Sequence, residues 1–306
     1  MRVRRAGGRM LALMSVLACG AARADGASAP ARSPTLPDLT HRDADITLEE
    51  ILASVSHSEG AVQDTPYVRV ERLSYEMPIA KSNWYVGAAY DAALGLDQDG
   101  TRRLVSGNPE LFGRGVWSSA YGLSFGGGLA VVVPTKSYAL GDQSASTAYS
   151  AIAARGWDRA LFDPDFATLR PFLDVRLLSG PITVQYRQTL ELATDFDSYR
   201  FAAVGTVYVG VRFSPLLSAG ADLIEYYHLE PNLPDEQRPY FAVGAHVRFD
   251  TRYFQPTIGL MTNIGSPLNA LSRLGAPIIG APTSFVGVHF GLSFSVPLPH
   301  SHTKEP

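Results

Sequence analysis

The side chains that could do chemistry in this 306-residue chain are seven histidines, one cysteine and a set of arginines and carboxylates that recur with even spacing. A hydrolytic site needs a serine, a histidine and a carboxylate within hydrogen-bond reach. His41, His57, His300 and His302 fall in expected terminal segments, which leaves His228, His246 and His289. His228 stands near a strand end beside Glu230 with no evident serine nucleophile, and the other two stand mid-strand, where a lone imidazole serves as a hydrogen-bonded liner. No zinc-ligand spacing, Gly-x-Ser-x-Gly elbow or phosphate loop occurs. Gly126-Gly127-Gly128 lacks the lysine and helix of a nucleotide loop and reads as a bend or a close backbone approach. His300 and His302 make only a weak metal pair. The sequence therefore implies no enzyme, no catalytic residue, no cofactor and no resident metal.

The arginines are more telling. Arg170, Asp174 and Arg176 share a parity opposite to that of Leu169, Pro171, Leu173, Val175 and Leu177. Arg187 and Glu191 do the same against Ile182, Val184, Tyr186, Leu190 and Leu192. Arg200, Arg212, Asp222, His246, Arg248 and His289 belong to further rows of this kind. Facing inward, the rows would line a lumen in which arginine gives a mild preference for anionic or polar solutes, or would fill a nearly closed, charge-paired core.

Such rows require extended segments that keep their parity over about 11 to 15 residues, longer than ordinary strands and close to what a tilted membrane-spanning strand needs. Ten are expected at 83–96, 108–119, 121–134, 167–179, 182–194, 199–213, 217–229, 239–250, 253–264 and 285–297. Short and long connections alternate between them, as in outer-membrane barrels with brief periplasmic turns and extended external loops. Tyr67–Ile79 also reads as extended; it either pairs with an unseen strand, giving twelve, or lies off the wall. A two-residue turn at Gly180-Pro181 sets Arg170 opposite Glu191 and Asp174 opposite Arg187. One at Thr251-Arg252 sets Arg248 opposite Gln255, His246 opposite Thr257 and Phe249 opposite Phe254.

Ahead of the strands, Arg2, Arg4, Arg5 and Arg9 precede an apolar run from Met10 to Ala18, and Ala22-Arg23-Ala24 offers a cleavage site, so residues 1–24 read as an export signal. Cys19 is the rival, lipoprotein-type processing point. Residues 25–44, rich in Ala, Ser, Pro and Asp, read as a periplasmic linker with nothing to pack. Thr47 with Glu50 forms a capping-box spacing, and Leu48, Ile51, Leu52 and Val55 share one helical face, which predicts a short amphipathic helix. That helix would pack on the body of the protein, plug the barrel or dock a periplasmic partner. The insertion 136–166 is the largest loop, external, a lid, receptor surface or cover, with a short helix near 148–155.

Composition agrees. Charged residues are 18%, below the roughly 25% of soluble domains. No apolar run reaches the roughly 20 residues of a membrane helix. Lys plus Arg of 26 against Asp plus Glu of 29 excludes a basic field for nucleic acid.

Gly107-Asn108-Pro109-Glu110-Leu111, Val116-Trp117-Ser118 and Gly122–Gly128 running to Val133-Pro134-Thr135 resemble bacterial outer-membrane β-barrel families, loosely the barrels associated with the meta-cleavage pathway of phenol degradation. That resemblance is motif-like over 107–135; it implies an outer-membrane location and passage of small organic molecules. The chain departs from common barrels in following its last strand with 297–306 instead of a terminal aromatic.

The reading is an all-β, transmembrane, antiparallel up-and-down β-barrel of 10 or 12 strands with a short N-terminal helix. Its expected parts are a signal at 1–24, a linker and helix at 25–66, a barrel at 67–297 and a tail at 298–306. It would sit in the outer membrane of a Gram-negative bacterium, in contact with its lipid, as a passive channel or binding barrel for a small polar or aromatic solute. A non-transporting structural or surface-interaction barrel is the alternative, and a lipid-modifying enzyme the more distant one.

Overall fold

The computed structural model describes residues 31–39, 44–57, 67–79, 82–96, 100–119, 122–135, 143–163, 165–229, 239–251, 254–264 and 282–296. Its strands are β1 (Ala44–His57), β2 (Tyr67–Pro78), β3 (Trp84–Leu96), β4 (Arg102–Ser106), β5 (Glu110–Ser118), β6 (Leu123–Val132), β7 (Ala167–Ser179), β8 (Ile182–Thr194), β9 (Tyr199–Ser214), β10 (Leu217–His228), β11 (Pro239–Phe249), β12 (Phe254–Ile264) and β13 (Pro282–Val296). Helix α1 (Gln143–Ala154) and a short 3-10 helix (Gly156–Leu161) lie between β6 and β7. Every paired strand is antiparallel to its neighbour, and β1 pairs with both β2 and β13, closing a barrel of twelve strand positions. Closure leaves no sheet edge to satisfy, as a spanning sheet requires. The thirteenth strand, β4, shares its position with β5: Ala92 faces Ser106 and Ala89 faces Glu110, so the intervening residues form a bulge at Gly107–Pro109.

Twelve strands, rather than ten, follow from what Thr47–Val55 does. That segment is not a helix but the middle of β1, and it is the partner that β2 needed. Its helical signal arose because both faces carry apolar side chains. Leu48 and Leu52 point out of the barrel, whereas Ile51, Ala53 and Val55 point in and are buried against other apolar groups. Period two was thereby blurred into an apparent period of 3.6. As a strand within the wall, the segment has no free helical face for a periplasmic partner.

Two local expectations are also corrected. The β11–β12 connection runs over 250–253, so Arg248 faces Thr257 and His246 faces Gly259. Thr251 Oγ1 accepts a hydrogen bond from the amide of Phe254 (3.2 Å) and so closes a longer loop than the two-residue turn. The two-residue shift preserves parity, and Arg248 still bonds Gln255 diagonally. The β7–β8 hairpin follows the Gly180-Pro181 register, with Asp174 opposite Arg187, Val175 opposite Tyr186 and Gly180 at φ +56°. The expected loop 97–107 contains β4.

The outer wall is apolar along its length, with Leu173, Val209, Leu260 and Val286 among many exposed large side chains. At the end where the turns are short, Trp84 meets Trp117 edge-on at 5.7 Å and Phe254 meets Phe294 at 5.5 Å, an aromatic girdle of the kind that marks a bilayer interface. Glu50, Arg69 and Glu71 interrupt this wall midway along β1 and β2. Glu50 faces Glu71 directly, and Arg69 bridges them at 3.1 Å and 2.5 Å.

Candidate lumen site

The inward parity of the strands builds the site. In β7, Arg170, Phe172, Asp174 and Arg176 turn inward while Leu169 and Leu173 turn out. The lumen then divides into three levels, set by two pieces of the chain that enter it.

At the long-loop end, α1 and the 3-10 helix fold into the barrel. Ala148, Ala151, Ile152, Ala154 and Leu161 pack with Ile51, Val55, Val70, Val105 and Phe285 from the wall, an apolar seal. The insertion expected as an external lid or cover is therefore an internal plug over its described part. Asn108, at the bulge between β4 and β5, holds it: Nδ2 donates to the carbonyls of Ala160 (3.0 Å) and Asp163 (2.8 Å), and Oδ1 accepts from the amide of Thr135 (2.9 Å).

Below the seal lies a web of ion pairs. Arg155 meets Glu49 at 3.2 Å and Asp158 at 2.9 Å. Arg170 meets Glu110 at 2.8 Å, Asp158 at 2.9 Å and Glu191 at 3.1 Å, while Arg72 meets Glu110 at 2.8 Å and Asp91 at 3.4 Å. As Arg155 does through Glu49, Asp158 thus ties the plug to the wall through Arg170. Burial works against its ionisation, but the guanidiniums of Arg170, Arg155 and Arg72 together outweigh burial and hold its carboxyl below the usual range. Arg200 joins from β9, paired to Asp163 at 3.0 Å and stacked 3.6 Å over the Phe166 ring.

At the short-turn end, residues 31–39 run through the lumen. The expectation that 25–44 packs nowhere fails for these residues: Ala31, Leu36 and Leu39 are buried. Composition misled because the segment is held by polar contacts to the wall that no local pattern encodes. Arg176 pairs with Asp38 at 2.8 Å, Arg114 donates to the Asp38 carbonyl at 2.9 Å, and Gln185 donates to the Pro37 carbonyl at 3.0 Å. Ser33 donates to Asp222 at 2.7 Å. Leu39 seats between Tyr85 and Val116, and a methyl group on Gly126 would come within 2.8 Å of it. That close approach is what the glycine run in β6 permits.

Between plug and segment is a cavity of about 220 Å³. Its lining includes Arg32, Arg72, Arg114, Arg155, Arg170, Arg187 and Arg248 beside Asp38, Asp45, Glu49, Glu76, Glu110 and Asp158. The residues expected in the lumen all take the inward parity, but they do different things. Arg170, Arg187 and Arg248 border the cavity. Asp174 holds Arg187 through two 2.8 Å bonds, Arg176 and Asp222 hold the segment, and Glu191 accepts from Tyr226 at 2.9 Å. His246 lies 3.4 Å from Asp222 and stacks on Tyr208; His289 is buried on the far side of Gly259. Arg212 stays at the rim, donating to the carbonyls of Ser214 (2.9 Å) and Pro215 (2.6 Å) of its own turn. His228 is buried against Tyr226 at 4.9 Å.

Sequence reasoning missed Arg72, Glu76, Glu110 and Arg114 as lining residues. The alternation of Arg72, Ser74 and Glu76 was available, but their strand had no visible partner until β1 was found. Arg155, Asp158 and Asp38 carried no signal, since they reach the lumen from outside the strand pattern.

No family model and no curated protein matches this chain. Among solved structures, it is similar to the NanC porin, with 9% identity and a TM-score of 0.52 over 82% of this chain and 100% of that one. It is likewise similar to an outer membrane channel from Pseudomonas putida F1, with 10% identity and a TM-score of 0.52 over 89% of this chain and 100% of that one. Likeness at such identities is one of fold: the fold of outer-membrane porins and channels.

Proposed function

We propose that this chain is an outer-membrane channel for a small solute and that the state described is its closed one. The observation that carries the reading is the charged cavity of about 220 Å³ between the inserted plug and residues 31–39. A water occupies ~30 Å³ in the liquid, so such a space accepts a few waters or one small organic molecule. A barrel built only for rigidity would gain from filling its lumen with apolar side chains, because burying ion pairs carries a desolvation cost. The apolar outer wall and aromatic girdle suit outer-membrane lipid, and the resemblance of 107–135 to phenol-pathway barrels supports a polar or aromatic organic solute.

The plug is the element that must move. It is joined to the wall through Arg155 and Asp158, so Arg155→Ala with Asp158→Ala should loosen it without touching the strands. In proteoliposomes the native chain should admit glycerol slowly and the double variant about tenfold faster, read as osmotic swelling. The apolar seal around α1 favours a second reading, a non-transporting structural or surface barrel. Background-level swelling by both chains would select it.

A further inference from the structure

Residues 31–39 occupy a place that looks built for something else. Arg176 and Arg114 are almost wholly buried side chains on the inner wall, and they converge on one residue of the segment, Asp38. Among the described residues, Asp38 is the carboxylate paired with Arg176, whose other polar contact is Ser124 at 3.4 Å. Arg114 differs, because Glu76 neutralises it from the wall at 2.7 Å. Were the segment to leave, it would carry away both Asp38 and the Arg32 paired with it at 2.6 Å. The wall would retain one guanidinium without its counter-charge, and that guanidinium is a ready partner for another anion. Directly beside this point, Leu39 fills an apolar niche made by Tyr85, Val116 and the bare backbone of Gly126.

We propose that Asp38 and Leu39 stand in for the solute, and that the site they fill binds a small carboxylate bearing an apolar group. The inference rests on the lumen being a solute path and names the solute class for it. Arg176 is the anion-binding residue: its planar fork suits a carboxylate. Arg114 and Gln185, which now hold the carbonyls of Asp38 and Pro37, supply further donors. The Tyr85–Val116–Gly126 niche receives the apolar part. Tethered at high effective concentration, the segment competes with any free ligand and keeps the site closed until solute displaces it.

The test uses the full chain in detergent, titrated calorimetrically with 4-methylpentanoate, which joins a carboxylate to a branched 3-methylbutyl group, and with the neutral 4-methylpentanamide. With Asp38→Ala and Leu39→Ala together, the carboxylate should bind about tenfold or more tightly than to the native chain, while the amide should not distinguish the two. Adding Arg176→Met should return carboxylate binding to the native level, and Arg176→Lys should keep part of the gain. Heat-modifiable gel mobility reports that each barrel is folded; if Arg176→Met is not, Arg176→Gln takes its place. Equal affinity for acid and amide, or a gain that survives loss of Arg176, overturns the proposal. Glycerol swelling of the Asp38→Ala/Leu39→Ala chain that also carries Arg155→Ala and Asp158→Ala separates this from the channel reading. Flux without preferential acid binding defeats the site alone, and acid binding without flux upholds the site and defeats the channel.

Discussion

At the scale of single residues, the interior is governed by arginines that each serve several carboxylates. Arg170 contacts Glu110, Asp158 and Glu191 at once. Replacing it with methionine takes a guanidinium from three buried acids and leaves Glu191 without an ion-pair partner, while Glu110 keeps Arg72 and Asp158 keeps Arg155; removal of one partner from such a cluster costs about 3–5 kcal/mol. Arg170→Met should therefore lower the urea midpoint of unfolding from lipid vesicles by far more than Arg187→Met, which strands Asp174 alone; equal shifts would mean that the web is not cooperative. On the outer wall, Arg69→Leu leaves Glu50 and Glu71 directly opposed in the apolar belt. Like charges directly opposite are destabilising, so this variant should unfold more readily than Glu50→Leu with Arg69→Leu and Glu71→Leu together, in the same measurement. The inward parity of Arg170, Asp174 and Arg187 was legible in the sequence because each alternates with apolar neighbours of the opposite parity. Their partners on Asp158 and Asp38 were not, since those side chains reach the lumen through tertiary folding.

The elements repeat the lesson. Strands β7 to β10 were legible nearly to the residue, because one face is predominantly apolar and tight turns end them. Strand β1 was not: its outer side carries Leu48 and Leu52 and its inner side packs on the apolar plug, so apart from Ser54 neither face is polar at Ile51–Val55. Single cysteines placed at 51, 52, 53, 54 and 55 distinguish the two structures by labelling with a lipid-soluble maleimide. Alternation, with 52 and 54 reactive and 51, 53 and 55 protected, is expected of the strand; a reactive run at i, i+3 and i+4 would restore the helix. The plug has its own pH dependence. Asp158 has a depressed pKa in the folded protein, so its hold is complete above the ordinary carboxylate value of about 4 and fades as pH falls from there toward the depressed value. Proteolytic cleavage within 143–163 should rise below about pH 4, and Asp158→Asn should show the raised cleavage already at pH 7. An acid-insensitive plug would place the link elsewhere.

For the whole molecule, a closed barrel with an apolar outside and a charged inside has been stoppered from both ends by its own chain. The barrel itself could be foreseen from period, strand length and the alternation of connections. The stoppers could not, because a peptide that packs inside a lumen has no periodicity of its own to betray it. Opening should grow as each yields and be greatest when both do: α1 with its Arg155 and Asp158 latch at the long-loop end, and residues 31–39 with their Asp38 latch at the short-turn end. The most direct measurement is single-channel recording in planar bilayers on the chain carrying Arg155→Ala, Asp158→Ala and Asp38→Ala together. Discrete, long-lived conductance steps, rare in the native chain and intermediate in frequency when only one end is unlatched, are the predicted result. A silent bilayer at every voltage, with the triply substituted barrel folded and inserted, would contradict a water path through this lumen.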